Sequence, residues 1–383
     1  MALAHRQDRN PVPATDWPAL MQALGPRFAA RAAAHDADDS FVADNFAELK
    51  ERGVFAAGVP AELGGGGASY PELCEMLRVL ARSCGATALA LSMHTHQIAT
   101  ATWRWRHGAA ALEPLLRRVA AERLVLVTSG ASDWVDASGS AEPVDGGWRI
   151  KARKIFASGS PCGDLMMTQA VYRDPVDGPT VLHFAIPLRG AGVRIEETWR
   201  TLGMRATGSH DVVIDDALIP DAGVMLRRPS GKWIPLFHLY ACTIPLPLVY
   251  AVYVGVAEAA RETAVAMARK RPQDAGLVFL VGELENELAL ARMAHRDMVE
   301  TAATCEEPGS ETSNRIFIAR TLVGRAVTRV AEKAMELAGG AAFYRAAGLE
   351  RLFRDLQGAR FHRPQERMQF ALTGRLALGL GFE

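Results

Sequence analysis

Apolar residues recur every three or four positions through the first hundred residues, as at Phe46 and Leu49 and again at Leu73, Met76, Leu77 and Leu80. That spacing lines one face of a helix, so residues 17–108 are expected to form a set of amphipathic helices. Gly64, Gly65, Gly66 and Gly67 interrupt the pattern. Each glycine costs about 1 kcal/mol relative to alanine inside a helix, so this run is expected to be a loop. Near Arg123 the period changes. Short β-rich runs at 124–128, 148–152, 165–172, 181–186 and 212–215 are separated by turn residues such as Asp145-Gly146-Gly147 and Asp177-Gly178-Pro179. They read as a small barrel or sandwich. From about Pro235 the helical period returns at 249–270, 278–301, 313–337 and 370–379, with a stripe that includes Ile316, Ala319, Val323, Ala326, Val327 and Val330. Four such helices pack as an antiparallel bundle, the third capped by Ser310 or Thr312 and closed by Gly339-Gly340. The expected class is α+β in three parts: a helical domain over 1–120, a β-domain over 121–228 and a helical bundle over 229–383.

Length supports that division, since 383 residues exceed the usual single domain. Hydrophobic residues at 49% and charged residues at 22% allow a large core. Lysine plus arginine and aspartate plus glutamate are 43 each, so there is no net field to draw in nucleic acid or an anionic membrane. Cys74, Cys84, Cys162, Cys242 and Cys305 are scattered, with no Cys-x-x-Cys pair. They are expected to be reduced thiols in a cytoplasmic protein, with no metal site. No signal peptide is expected at the N-terminus and no membrane span elsewhere; the nearest apolar run, 244–256, contains Pro245 and Pro247.

Two places carry candidate chemistry. His94 and His96 lie in the apolar run 89–98, two residues apart and so about 200° apart on a helix; at most one faces a given pocket, and His96 is preferred. The second is the charged segment 348–366, which gathers Arg351, Arg354, Asp355, Arg360, His362, Arg363 and Glu366 just after Gly339-Gly340.

The order Gly-Gly, Arg-Leu-x-Arg-Asp and a short run beyond it resembles the acyl-CoA dehydrogenase superfamily. So does Val59-Pro60-Ala61-Glu62-Leu63-Gly64-Gly65 near the start of the chain. Three segments of the β-region are similar to that family's flavin-facing pieces: Val127 to Asp133, Gly147 to Gly159, and Trp199 to His210 followed by Ile219-Pro220. The resemblance implies the three-domain fold of that superfamily and a bound flavin, FAD or alternatively FMN. It places Thr128, Ser129, Phe156 and Ser158 at the cofactor. Arg271, in a segment where the family's arginine clasps the pyrophosphate of FAD across a subunit interface, joins them. A homotetramer or homodimer built through the bundle follows in the same way, and the Arg354-Asp355 pair is expected to brace the active-site loop.

The family removes an α-proton with a glutamate, but counting from Arg354 places His362 at the preceding aromatic position and Arg363 at the glutamate position. Arginine does not accept a proton. The alternative base position falls within 237–243, which holds no Asp or Glu, and Glu366 would serve only if its loop were remodelled. His362-Arg363-Pro364 resembles instead the flavin monooxygenase branch of the same fold, which also implies Ser158 on its strand and His96 on the pocket helix. The favoured expectation is therefore an oxygen-activating flavoenzyme with His362, Ser158 and His96 as catalytic residues, acting on a small molecule. Its electrons would come from a flavin reductase or an electron-transfer flavoprotein. An acyl-CoA dehydrogenase with a displaced base and a non-catalytic flavin-binding paralogue are the alternatives. Histidine suits the first reading because its ordinary pKa, about 6.5, lets it exchange a proton near neutrality.

Overall fold

Five helices lead the chain: α1 (Trp17–Asp38), α2 (Ala43–Glu51), α3 (Tyr70–Ser83), α4 (Gly85–Arg106) and α5 (Glu113–Glu122). They belong to a computed structural model that describes residues 15–130, 133, 137–271 and 274–381. The Asp16 carboxylate caps α1 by accepting from Ala19 N at 2.9 Å, and Ser69 with Glu72 forms a capping box at the start of α3. The four-glycine run is a loop, as expected. A Cβ on Gly66 would come within 2.3 Å of the Trp17 ring, so that close approach to α1 requires glycine. Helix α4 is buried almost without a break from Gly85 to Thr102, which takes its polar residues into the interior.

The middle of the chain forms one mixed sheet of β1 (Leu126–Thr128), β2 (Ser140–Val144), β3 (Gly147–Ala157), β4 (Leu165–Asp174), β5 (Gly178–Pro187), β6 (Val193–Glu196), β7 (His210–Pro220) and β8 (Val224–Pro229). Its order is β6-β7-β3-β2-β4-β5-β8, with β1 alongside β4 in parallel. Trp148, Ile150, Phe184, Val212 and Ile214 fill its own core.

The last third begins with a short helix α6 (Pro235–His238), which passes through a π-helical turn, Leu239–Thr243, into α7 (Pro245–Ala268). Then follow α8 (Leu277–Ala303), α9 (Ser310–Ala338), α10 (Leu349–Gln357) and α11 (Glu366–Ala377). Helix α9 closes on Gly339 at φ 69°, as its sequence suggests, but the cap at its start differs from expectation. Gly309 occupies the N-cap position, so neither Ser310 nor Thr312 caps the helix through its side chain. The stretch Pro235–Ala268 is long and apolar enough to cross a membrane by length and composition, which the prolines at 245 and 247 had argued against. It is buried as the central core helix. Its apolar face joins Phe28 and Leu77 of the N-terminal helices to Phe317 and Val327 of α9, so both helical parts share one core.

Arg354 and Asp355 brace the fold, although not as a pair with one another. Arg354 binds Asp36 of α1 at 2.6 Å, Glu350 at 2.6 Å and the Leu202 carbonyl at 3.0 Å. Asp355 points the other way and accepts from Met204 N at 2.5 Å. Adjacent residues on a helix diverge by about 100°, which sends the two side chains to different elements.

Candidate active site

Strand β1 ends by placing Thr128 opposite Met167 of β4, and the chain then turns through Ser129 and Gly130. The Ser129 hydroxyl donates to the Asp133 carboxylate at 2.5 Å. Beneath this turn Lys154, fully buried, binds Asp133 at 3.0 Å and donates to the Gln169 and Ser138 carbonyls at 2.6 and 2.7 Å. Burial lowers the lysine pKa while Asp133 pulls it back up, so an ion pair with satisfied donors anchors the loop from below. Ala131 and Ser132 of the matched segment lie outside the described residues.

Gly130 N donates to the Ile155 carbonyl at 2.9 Å, and the next residue, Phe156, has φ 58°. A phenylalanine in that left-handed region is strained, and the strain coincides with a break in the β3–β7 register between Lys154 and Ala157. The result is a half-exposed Phe156 ring set edge-to-face against Trp199 at 5.7 Å, with Ile155 and Leu202 also exposed nearby in sequence. Ser158 follows, its Oγ 2.7 Å from Ser209 Oγ. Ser209 lies 2.6 Å from Thr207 Oγ1, which donates to the Met204 carbonyl at 2.9 Å. Trp199 Nε1 donates to the same carbonyl at 3.1 Å. An apolar wall beside a short chain of hydroxyls suits a flavin ring, which needs an apolar face and donors along its polar edge. The residues present therefore fit that cofactor. Thr128 and Ser129 lie at the end of β1, where a Cβ on Gly130 would come within 3.1 Å of Phe156, while Ser158 joins Ser209; the Ser129 hydroxyl is engaged by Asp133.

On α4 the two histidines part company. His94 Nε2 is 2.6 Å from the Phe55 carbonyl and its Nδ1 accepts from Leu126 N at 2.9 Å, so both ring nitrogens tie α4 to its neighbours. Among the described residues His96 meets the Gln97 amide, at 3.3 Å, and burial holds its pKa down at about 3.

The segment after α10 is held from inside the bundle. Tyr253 OH lies 2.6 Å from His362 Nε2, the Tyr250 OH donates to the Ala359 carbonyl at 2.6 Å, and the buried Arg320 donates to the His362 carbonyl. Burial and then the Arg320 charge push the His362 pKa down to about 3. This corrects the expectation that it titrates near neutrality: in the folded protein the imidazole is neutral. Its bonds among the described residues go to Tyr253 and Arg320, not to Thr128, Phe156 or Ser158. Glu366 is engaged by Arg325 on an exposed part of the bundle, so it is not turned toward the site as a displaced base. Arg271 donates to the Leu337 carbonyl at the end of α9; Pro272 and Gln273, which complete its motif, lie outside the described residues.

A second set of residues, not singled out in the sequence, encloses a cavity of about 30 Å³ between α4, the sheet and the π-helical turn. Arg104 and Gln97 come from α4, Thr168 from β4, His183 from β5 and Tyr240 from the turn. Leu126 and Met167, the latter opposite Thr128, form part of its apolar wall, so the cavity adjoins the predicted flavin segment. Arg104 donates to Tyr240 OH at 2.5 Å, and its guanidinium lies 5.6 Å from that ring centre. Tyr240 belongs to the stretch read in the sequence for a carboxylate. A π-helical turn, which often marks a functional site, is what no spacing rule would have shown there.

Comparison with known proteins gives a consistent answer. The N-terminal domain of acyl-CoA dehydrogenase matches residues 22–113 and the C-terminal domain residues 247–370. Amino sugar nitrososynthase RubN8 of Streptomyces rubradiris is 32% identical, with 88% of this chain and 84% of its own length covered. The indole-3-acetate monooxygenase of Pseudomonas putida is 26% identical over 87% of this chain and 86% of its own. Among solved structures, KijD3 in complex with FMN and dTDP-3-amino-2,3,6-trideoxy-4-keto-3-methyl-D-glucose has a TM-score of 0.86 at 30% identity, covering 97% of this chain and 96% of that one.

Proposed function

The chain belongs to the acyl-CoA dehydrogenase family, and from that premise we propose that it is a flavin-dependent monooxygenase acting on a small organic molecule. One observation carries the reading: neither position from which the family draws its base carries a carboxylate. Arg363 occupies one, and Leu239–Thr243, with Tyr240 turned to the cavity, covers the other. Removal of an α-proton needs such a base near the reacting carbon. The nitrososynthase and monooxygenase names of the relatives support oxygen transfer.

A bound flavin, FMN or FAD, supplies the redox chemistry with dioxygen. The chain supplies the surroundings. Phe156 and Trp199 form an apolar wall that keeps water from the ring, and Ser158, steadied through Ser209 and Thr207, offers a hydroxyl at its edge. His96, neutral and buried on α4, faces the substrate side in this reading. His362 acts as a positioning residue, holding residues 358–364 against Tyr253. Arg271 would reach a pyrophosphate only with FAD. Reduced flavin arrives from a separate reductase, and the exposed apolar residues Phe279, Leu322 and Phe370 of the bundle fit a homodimer or homotetramer.

The test supplies reduced flavin enzymatically under isotope-labelled dioxygen, with amino sugar nucleotides and aromatic acids as trial substrates. One labelled oxygen atom in an organic product is the expected result. Label found only in water or hydrogen peroxide with every substrate, together with turnover of an acyl-CoA, would sink the proposal.

A further inference from the structure

The cavity between α4 and the sheet has apolar walls and a cationic end. Arg104 reaches it through Tyr240. Behind the lining residue His183, Arg228, a buried residue of β8, donates through Nε to His183 Nε2 at 3.1 Å while its guanidinium lies over the Phe237 ring at 4.4 Å. His183 is held near pKa 3, by burial and then by Arg228, Arg104 and Lys154, all of them cations. The electrostatic environment at the His183 end of the cavity is thus positive, which disfavours an ammonium and favours an anion.

A second observation is independent of charge. Thr168 is 1% exposed, lines the cavity, and its hydroxyl has no hydrogen-bond partner among the described residues. A buried hydroxyl left unpaired is costly, and native interiors almost always supply it with a partner. The volume, about 30 Å³, is room for about two waters, each of which needs ~10–15 Å³ by the same measure. It admits a terminal group of a few atoms and not a ring or a sugar. A phosphate, with four oxygens, is a poorer match to this enclosure than a planar carboxylate.

We propose that this cavity is the subsite for the terminal carboxylate of the substrate, bound by Arg104 with the hydroxyls of Tyr240 and Thr168, while the apolar body extends past Leu126 toward Thr128. The substrate class is a small organic acid with an apolar body. The inference rests on the monooxygenase reading for the place of this acid in a reaction, though not for its binding.

Calorimetric titration of the flavin-loaded protein tests it with butyrate, phenylacetate and indole-3-acetate, each against its own amide, which keeps the shape and removes the charge. At least one acid is expected to bind about tenfold or more tightly than its amide, as charge-assisted hydrogen bonds require. Arg104→Gln is expected to abolish that preference. Thr168→Val, nearly isosteric, is expected to weaken the same acid several-fold and keeps the test decisive if Arg104→Gln lowers the melting temperature. No acid preferred over its amide, or a preference indifferent to both variants, overturns the subsite. If dTDP displaces the acid and itself weakens in Arg104→Gln, the cavity belongs to a phosphate and the carboxylate assignment falls. Flavin affinity of the same preparation separates the two readings. Flavin binding without acid preference removes the subsite alone; acid preference without flavin binding supports the subsite and removes the monooxygenase.

Discussion

A histidine in water titrates near pH 6.5, and His94, His96, His183, His295 and His362 are all held at about 3 to 4, desolvation being the largest cause in each. Their folded pKa values lie below the unfolded one. The stability they contribute is therefore present above about pH 6.5 and is lost as pH falls toward 3, because the unfolded chain takes up protons that the folded chain refuses. For His362 the same shift decides its chemistry, since an imidazole that is neutral from pH 5 to 8 contributes no inflection to activity in that range. His362→Ala and Tyr253→Phe are accordingly both expected to raise KM and lower coupling of oxygen use to product, while the pH profile between 5 and 8 keeps its wild-type shape. Loss of an inflection near neutrality in His362→Ala alone would return it to a proton-transfer role. The residue types at 362, 158 and 96 were legible from the sequence, but their protonation was not, because desolvation depends on what folds around them.

Helix α10 is the element that ties the loop 199–205 to the rest of the molecule. Its Asp355 accepts from Met204 N, Arg354 holds Asp36 of α1, and a Cβ on Gly203 would come within 2.2 Å of the Arg354 carbonyl. Burial raises the Asp355 pKa to about 6, against the Met204 hydrogen bond that lowers it. A raised folded pKa means that stability is fully present below the unfolded value near 4 and is lost as pH rises through 6, by about 3 kcal/mol for a shift of this size. Asp355→Asn keeps the acceptor and removes the titration. In urea unfolding, the stability of wild type relative to Asp355→Asn should fall between pH 4 and 6 and level off above 7. A difference that stays flat across that range would show that Asp355 is not held in this way. Elements whose pattern is strong were legible: α3, α9 and β4 follow their apolar periods closely. Strands β2, β6 and β8 were not, since the first two run only five and four residues with little buried surface and β8 carries Arg227 and Arg228. Their pairing partners, not their own sequences, make them strands.

Across the whole molecule, one helical core links the two ends of the chain and a separate core fills the sheet between them. The three-part order was legible because long periodic runs report their own structure, and the family resemblance because each of its segments is a contiguous motif. Arg104, Thr168, His183 and Tyr240 escaped notice for the opposite reason. They converge from four elements spread over more than a hundred residues, and no local spacing links them. The stretch 237–243 contributes a tyrosine, Tyr240, and no carboxylate to this convergence. The most direct measurement is the absorbance of the oxidised, protein-bound flavin during anaerobic mixing with short-, medium- and long-chain acyl-CoA thioesters. An unchanged flavin spectrum with all of them is the expected result, because no base is in place to remove the α-proton; rapid bleaching by any one would contradict the monooxygenase assignment and require a carboxylate that reaches the site from elsewhere in the chain.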